Sequence, residues 1–237
     1  LAISFDSHIG HDFLEDAESR YDFYHKKEKR VAFDIDFLNR VTKGGVPNKT
    51  LNIILAGTGV GYSVQFRHVE QLPSLKFIDR TKVKHFIIED NIESWADALN
   101  ELVMSYIEGY YVEYAYHKIR PLGSRLITSG GRAPGHLVLR EALENIRKLL
   151  DKAQGRQLLT IECYDLVCMA AEAVYSSGIR EAATICLFSI DDGLMMYAKT
   201  GEWYKTSPWR ARSNNSVVLV RSEVKKDQYM RIFNATK

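Results

Sequence analysis

Residues 55–63 read Leu55-Ala56-Gly57-Thr58-Gly59-Val60-Gly61-Tyr62-Ser63, LAGTGVGYS, directly after the apolar run Leu51-Asn52-Ile53-Ile54. An apolar strand running into a glycine-rich turn is the frame of a P-loop. There, backbone N–H groups wrap phosphates, a Lys neutralises them and a Ser/Thr hydroxyl holds magnesium. The strand pattern, the glycines and Ser63 are all here, but the Lys position holds Tyr62. A phenol brings no positive charge, so a bound triphosphate would lose its best charge-assisted contact, and the ring would crowd the loop. Glu89-Asp90, at the end of a later apolar stretch, imitates the acidic magnesium partner, but acidic strand ends are common. A working ATPase is not expected. The glycine loop Gly57, Gly59, Gly61, Tyr62 and Ser63 needs another explanation.

Around this loop the chain reads as alternating strands and helices. Residues 8–30 are polar with interspersed aromatics and predict an exposed helix, whose Lys/Arg cluster suits a helix C-terminus. Gly44-Gly45-Val46-Pro47-Asn48 is a turn cluster, and Leu51–Ala56 a buried strand. Val83–Ile88 predicts a second strand. The helix after it has Trp95, Leu99, Leu102, Val103 and Ile107 at helical spacing, with Asp90 and Glu93 placed as a capping box. Tyr110–Ile119 predicts a strand, followed by turns at Pro121-Leu122-Gly123 and at Ser129–Gly135. Helices follow at 136–154, burying Leu139, Leu143, Ile146 and Leu150 and stopping near Gly155, and at Thr160–Tyr175, with Leu166, Val167, Ala170 and Val174 inward. Ala183–Ser189 and Ser216–Val220 predict two more strands. The pattern is α/β.

Composition excludes more than it proposes. The 237 residues are 46% hydrophobic and 26% charged, which suits one generous globular domain or one and a half smaller ones. A formal charge of +2, from 32 basic and 30 acidic residues, gives no field to attract nucleic acid or a membrane. Cys163, Cys168 and Cys186 form no disulfide framework and have no metal-ligand spacing. They fit reduced thiols in the cytoplasm, and no metal site is expected. No apolar run reaches membrane-spanning length, and no signal-peptide start is present. The chain starts at Leu1 rather than Met and reads as a fragment.

Two resemblances meet at the glycine string. His8-Ile9-Gly10-His11-Asp12, Leu38–Gly45 and Thr50–Gly57 resemble the entry to the ATPase domain of a tailed-phage replicative helicase. That likeness covers about the first quarter of the chain and fails at Tyr62. Beyond the string, Gly57–Gln65 with Gln71-Leu72-Pro73 resembles the glycine loop of adenosylcobalamin-dependent (class II) ribonucleoside-triphosphate reductases, where an aromatic after GVG is expected. Further segments agree in order: Glu89-Asp90 with Glu93-Ser94-Trp95; Ile119–Gly123; Ser129–Gly135; Ser177–Ala183; and Arg212-Ser213-Asn214-Asn215-Ser216-Val217. The expected organisation is a helicase-like leader, 1–56, ending in a strand, joined at GTGVG to a partial ribonucleotide-reductase α/β barrel, 57–237. The join reads as a chimera.

The reductase resemblance implies roles. Arg120 would hold the phosphates of a deoxynucleotide triphosphate effector, and Asp90 would accept from its sugar. Ser177, Gly178, Ile179, Arg180, Glu181 and Ala182 would form the specificity loop, with Gly178 as hinge and Arg180 as reader of the substrate base. Glu181 departs from the family pattern, and its carboxylate could pair with Arg180. Asn214, Asn215 and Ser216 form a motif of unassigned role. Each residue also has a plain reading: Asp90 as a helix cap, Arg120 in a surface ion pair, the glycines in positive-φ turns.

The resemblance further implies adenosylcobalamin as cofactor, a ribonucleoside triphosphate as substrate and a thioredoxin-type reductant for the full-length enzyme. The family's catalytic cysteines have no counterpart among the three here, which read as buried structural thiols, so no catalytic residue is assigned and the chain alone is expected to be inactive. Two other readings stay open: a P-loop ATPase or replicative-helicase fragment with a degenerate Walker A, and a non-catalytic nucleotide-binding module.

Overall fold

The computed structural model describes residues 30–31, 46–47, 60–125, 132–175, 184–220 and 222–235. The leader contributes one described pairing, β1 (Arg30–Val31) antiparallel to β2 (Val46–Pro47). The helix expected over 8–30 is contradicted at Arg30, which pairs as a strand with Pro47; its residues 8–29, the strand over 51–56, Gly57, Gly59 and the loop 177–182 lie outside the described residues.

Strand β3 (Val60–Ser63) precedes a one-turn helix, α1 (Phe66–Val69). Then come β4 (Asp79–Ile87), α2 (Ile92–Glu108) and β5 (Tyr110–Ala115). Two long helices follow, α3 (Leu137–Lys152) and α4 (Thr160–Tyr175), and then β6 (Thr184–Ser189). Short helices α5 (Gly193–Met196) and α6 (Trp203–Thr206) and a 3-10 turn (Pro208–Arg212) lead to β7 (Ser213–Val218), and α7 (Lys226–Ala235) comes last.

Both larger sheets are parallel. β3, β6 and β7 form one, with Tyr62 opposite Cys186 and Cys186 opposite Asn215; β4 and β5 form the other, with α2 as the crossover. Parallel neighbours need a crossover element, so the sequence's strand–helix alternation predicts this pairing. Among the described residues the strands do not close into a barrel.

Two cores flank α4. One lies between the β4–β5 pair, α2 and α3, where Ile88, Leu102, Val112, Leu139, Leu143, Ile146 and Leu150 are buried. The other packs β3 and β6 on α4 through Val64, Tyr164, Cys168, Cys186, Phe188 and Met195. Helix α4 faces the first with Met169 and Ala173 and the second with Tyr164 and Cys168. A helix buried on two sides has no single apolar stripe, so the expected inward face accounts for part of its packing only: Leu166 and Ala170 pack against the first core, and the Val174 side chain lies outside the described residues. Leu166, Val167 and Ala170 are only half-buried. In α2 the deepest line is Ser94, Ala98, Leu102, Ser105 and Tyr106, while the predicted Trp95, Leu99, Val103 and Ile107 flank it. Small residues on the deepest line let the helix approach the sheet closely.

The α4 N-terminus is held by charge. Glu162 accepts from the Leu159 N–H at 2.8 Å and from both terminal nitrogens of Arg156 at 2.6 and 2.7 Å. Burial pushes its carboxyl up, but these donors outweigh burial and hold it below the usual carboxylate range. Its contribution is therefore fully present above the unfolded value of about 4.3 and is lost as pH falls through the lower folded value. Glu162→Gln is expected to cost about 1 kcal/mol at neutral pH, with the deficit against wild type vanishing in acid. Urea titrations at several pH values check this; a pH-independent deficit sinks it.

Candidate functional site

Strand β4 ends at Ile87, and Ile88 continues the pairing by donating its N–H to Ala115 O at 3.0 Å. The next residues, Glu89 and Asp90, therefore emerge at the carboxyl edge of the sheet, beside the segment that leaves β5 toward Arg120. In open parallel sheets this edge is where ligands bind. Arg120 Nε donates to Asp90 Oδ2 at 2.5 Å, and Lys118 pairs with Glu89. Asp90 and Arg120 are both half-buried, with side chains 33% and 38% exposed, so the pair remains open to a solute.

The helix cap differs from expectation. The α2 cap is Asn91, whose side chain accepts from Ser94 N at 2.7 Å; Ser94 Oγ in turn accepts from Glu89 N at 2.9 Å. With the helix end satisfied by its neighbour, Asp90 is free to face Arg120. Sequence spacing could not separate these adjacent Asx residues, since both are favoured caps.

The two glycine turns come together. Gly123 N donates to Ala133 O and Ala133 N to Ser124 O, both at 2.8 Å, and Arg125 bridges Arg132. Gly135 has φ +71°, and a Cβ there would lie 3.0 Å from Leu122 N, so this crossing requires glycine. Ala173, in the last turn of α4, packs in the same core as Ile88 and Ile119, which lie close in sequence to Asp90 and Arg120.

The predicted glycine loop is in part a strand. Gly61, Tyr62 and Ser63 lie in β3, paired with Ile185, Cys186 and Leu187. Their backbone is in sheet geometry, and Ser63 Oγ meets His68 Nδ1 at 2.9 Å. The Tyr62 hydroxyl lies 3.8 Å from Cys168 Sγ, on the α4 side of the sheet. Tyr62 is thus a packing residue whose aromatic ring favours a strand. Asn214, Asn215 and Ser216 lie in β7, and the Asn215 Oδ1 is buried without a hydrogen-bond partner among the described residues.

All three cysteines are free. Burial pushes Cys163 and Cys186 up to about 12 and raises Cys168 as well, so these thiols stay protonated at neutral pH and are weak nucleophiles. Among the described residues no group of His, Cys, Asp and Glu could hold a metal, and no helix is long and apolar enough to cross a membrane.

A crystal structure of a B-12 dependent (class II) ribonucleotide reductase superposes on 71% of this chain and 28% of its own, with a TM-score of 0.62 at 21% identity. The fold is similar to part of the class II ribonucleotide reductase fold. Sequence comparison agrees with the reductase fold. The chain is 27% identical over 168 residues to the adenosylcobalamin-dependent ribonucleoside-triphosphate reductase of Euglena gracilis, covering 69% of this chain and 22% of that one. It is 25% identical to the enzyme of that name from Lactobacillus delbrueckii subsp. bulgaricus, covering 82% of this chain and 29% of that one. The chain therefore spans less than a third of these relatives. A separate likeness of 47% over 64 residues links it to the DnaB-like replicative helicase of Enterobacteria phage T4, covering 27% of this chain and 14% of the helicase. No family model matches the chain.

Proposed function

We propose that residues 57–237 form the effector-sensing part of an adenosylcobalamin-dependent ribonucleoside-triphosphate reductase, preceded by a helicase-like leader, 1–56, of separate origin. The observation that carries this reading is the contact between Arg120 and Asp90 at the carboxyl edge of the β4–β5 pair. A deoxynucleotide triphosphate would set its phosphates on the guanidinium and its sugar hydroxyl on the carboxylate. Among the described residues only Nε of Arg120 is engaged, so the terminal nitrogens can fork onto phosphate oxygens. The loop Ser177–Ala182 would carry the effector's identity toward the substrate base, with Gly178 as hinge and Arg180 as reader.

In the parent reaction a ribose 2′-hydroxyl is replaced by hydrogen, adenosylcobalamin supplying the radical and cysteines the electrons, with a thioredoxin-type protein as external reductant. The described residues do not fit the cofactor by themselves. The cavity of about 480 Å³ between α1, α4 and α5 is small and apolar for a corrinoid, Cys168 and Cys186 are buried and Cys163 half-buried, and burial keeps all three described thiols protonated. The radical chemistry therefore falls outside these residues, and the chain alone binds effector without turning over substrate in the cytoplasm. We favour this reading over the ATPase alternative because Tyr62 and Ser63 belong to a strand, a placement unlike the phosphate-wrapping turn of a P-loop.

Calorimetry with the four deoxynucleotide triphosphates tests the site. Arg120→Ala is expected to weaken binding about tenfold while leaving the thermal midpoint unchanged, since the side chain is half-exposed. Equal affinity in both proteins, or none in either, removes the effector assignment.

A further inference from the structure

Lys199 stands apart from the other lysines. Lys82, Lys84, Lys118 and Lys205 each pair with a carboxylate. Lys199, half-buried in the segment between α5 and α6, pairs with none among the described residues. Its Nζ donates to the carbonyl of Ser213, the first residue of β7, and lies 5.4 Å from the centre of the Trp203 ring. An ammonium taken out of water and given one carbonyl recovers only part of its hydration.

The surroundings add positive charge. Arg210 Nη1 donates to the carbonyl of Ala198, the residue before Lys199, at 2.7 Å. The titratable groups acting on the ammonium are that guanidinium, on the 3-10 turn, and the Cys168 thiol, on α4. Asp165, also on α4, has its oxygens on Arg210 and Trp209. Burial holds Lys199 below the usual lysine range; the Cys168 thiol opposes this and Arg210 adds to it. Desolvation and a neighbouring cation are the conditions that make a lysine amine nucleophilic. The half-buried Trp203 indole supplies a flat apolar wall beside the amine.

We propose that Lys199 is a nucleophilic amine that condenses with aromatic aldehydes, the aryl ring lying on the Trp203 indole. The Nζ lone pair attacks the carbonyl carbon, a C=N bond replaces the C=O bond, and the oxygen leaves as water with the two amine protons. The step needs no oxidant or reductant. Ring-on-ring contact favours an aryl aldehyde over an aliphatic one. This site is independent of the Asp90–Arg120 contact and of the effector reading.

The full chain is treated near neutral pH with benzaldehyde or butanal. Cyanoborohydride is present to reduce the imine to a stable secondary amine, and peptide mass spectrometry locates the labelled lysines. Lys199 is expected to react with benzaldehyde at least about fivefold faster than Lys82 and Lys205, which are exposed and paired with carboxylates. That excess should shrink as pH rises towards the ordinary lysine value of about 10.4, where every amine loses its proton. Trp203→Leu keeps an apolar side chain and is expected to lower the benzaldehyde-to-butanal rate ratio at Lys199 about threefold. Labelling of Lys199 no faster than Lys82 and Lys205 overturns the proposal, as does an excess that does not change with pH. A rate ratio unchanged by Trp203→Leu overturns the aromatic preference. The two measurements on the unaltered chain decide the nucleophile whether or not the Trp203 variant folds.

Discussion

Asp165→Ala is expected to destabilise the protein by about 3–5 kcal/mol, the cost of leaving a buried guanidinium without its carboxylate. Asp165 on α4 accepts from Arg210 Nε and Nη2, each at 2.6 Å, and from Trp209 Nε1 at 2.8 Å. Arg210 Nη1 also donates to Ala198 O at 2.7 Å. The pair is well shielded, with side chains 13% and 11% exposed. Burial lowers the Arg210 guanidinium's hold on its proton, but the Asp165 carboxylate more than restores it. The bonds tie α4 to the 3-10 turn that delivers β7, so their loss is expected to loosen the β6–β7 edge. In urea the midpoint should fall sharply, and β7 amides should lose exchange protection first. Replacing both members, as Asp165→Leu with Arg210→Met, should cost less than either single change, because no charge is then stranded. A loss below about 1 kcal/mol for Asp165→Ala would show that solvent reaches Arg210 and that the pair is a surface contact.

How far the sequence discloses this fold depends on the kind of constraint. Helix α3 has one buried face, and its 3.6-residue repeat places Leu139, Leu143, Ile146 and Leu150 correctly in the core. The bounds of α4 are equally plain, from Thr160 to Tyr175. Its orientation is not, since two cores claim opposite faces. Strand β4 begins at Asp79 rather than Val83 because the added residues pair at the sheet's end through a bulge at an exposed edge, where no apolar alternation marks them. Strand β7 begins at Ser213 for a related reason: Ser213-Asn214-Asn215 carries weak strand propensity, and pairing with β6 overrides it.

The candidate site is legible only in part. Motif likeness singles out Asp90 and Arg120, and the parallel pairing of β4 with β5 brings them within hydrogen-bond distance although 30 positions separate them. That juxtaposition is tertiary, and neither residue's local sequence encodes it. The role of Asn91 as cap was hidden for the opposite reason, since two adjacent residues carry the same local signal.

Tyr62→Lys restores the lysine of a P-loop, and it is expected to yield an unstable protein without ATP hydrolysis. Tyr62 lies on the face of β3 that packs on α4, opposite Cys186 and beside Cys168. Burial pushes its phenol up, which marks a place that resists charge. An ammonium there loses hydration without gaining a carboxylate, and the ring's packing is lost as well. Together these should cost about 3 kcal/mol at neutral pH. The sign of the pH dependence follows from the lysine. Its folded pKa would lie below its unfolded value of about 10.4, so the unfolded chain binds the extra proton. The deficit should therefore shrink as pH rises through the folded value and towards the unfolded one. Tyr62→Phe keeps the ring and loses the hydroxyl's weak contacts, among them the one to Cys168 Sγ at 3.8 Å, so it should stay within about 1 kcal/mol of wild type. Thermal melts of the three proteins across pH, with a phosphate-release assay at each, decide the matter. A Tyr62→Lys protein that melts like wild type and hydrolyses ATP would mean that position 62 faces a phosphate cradle and not α4.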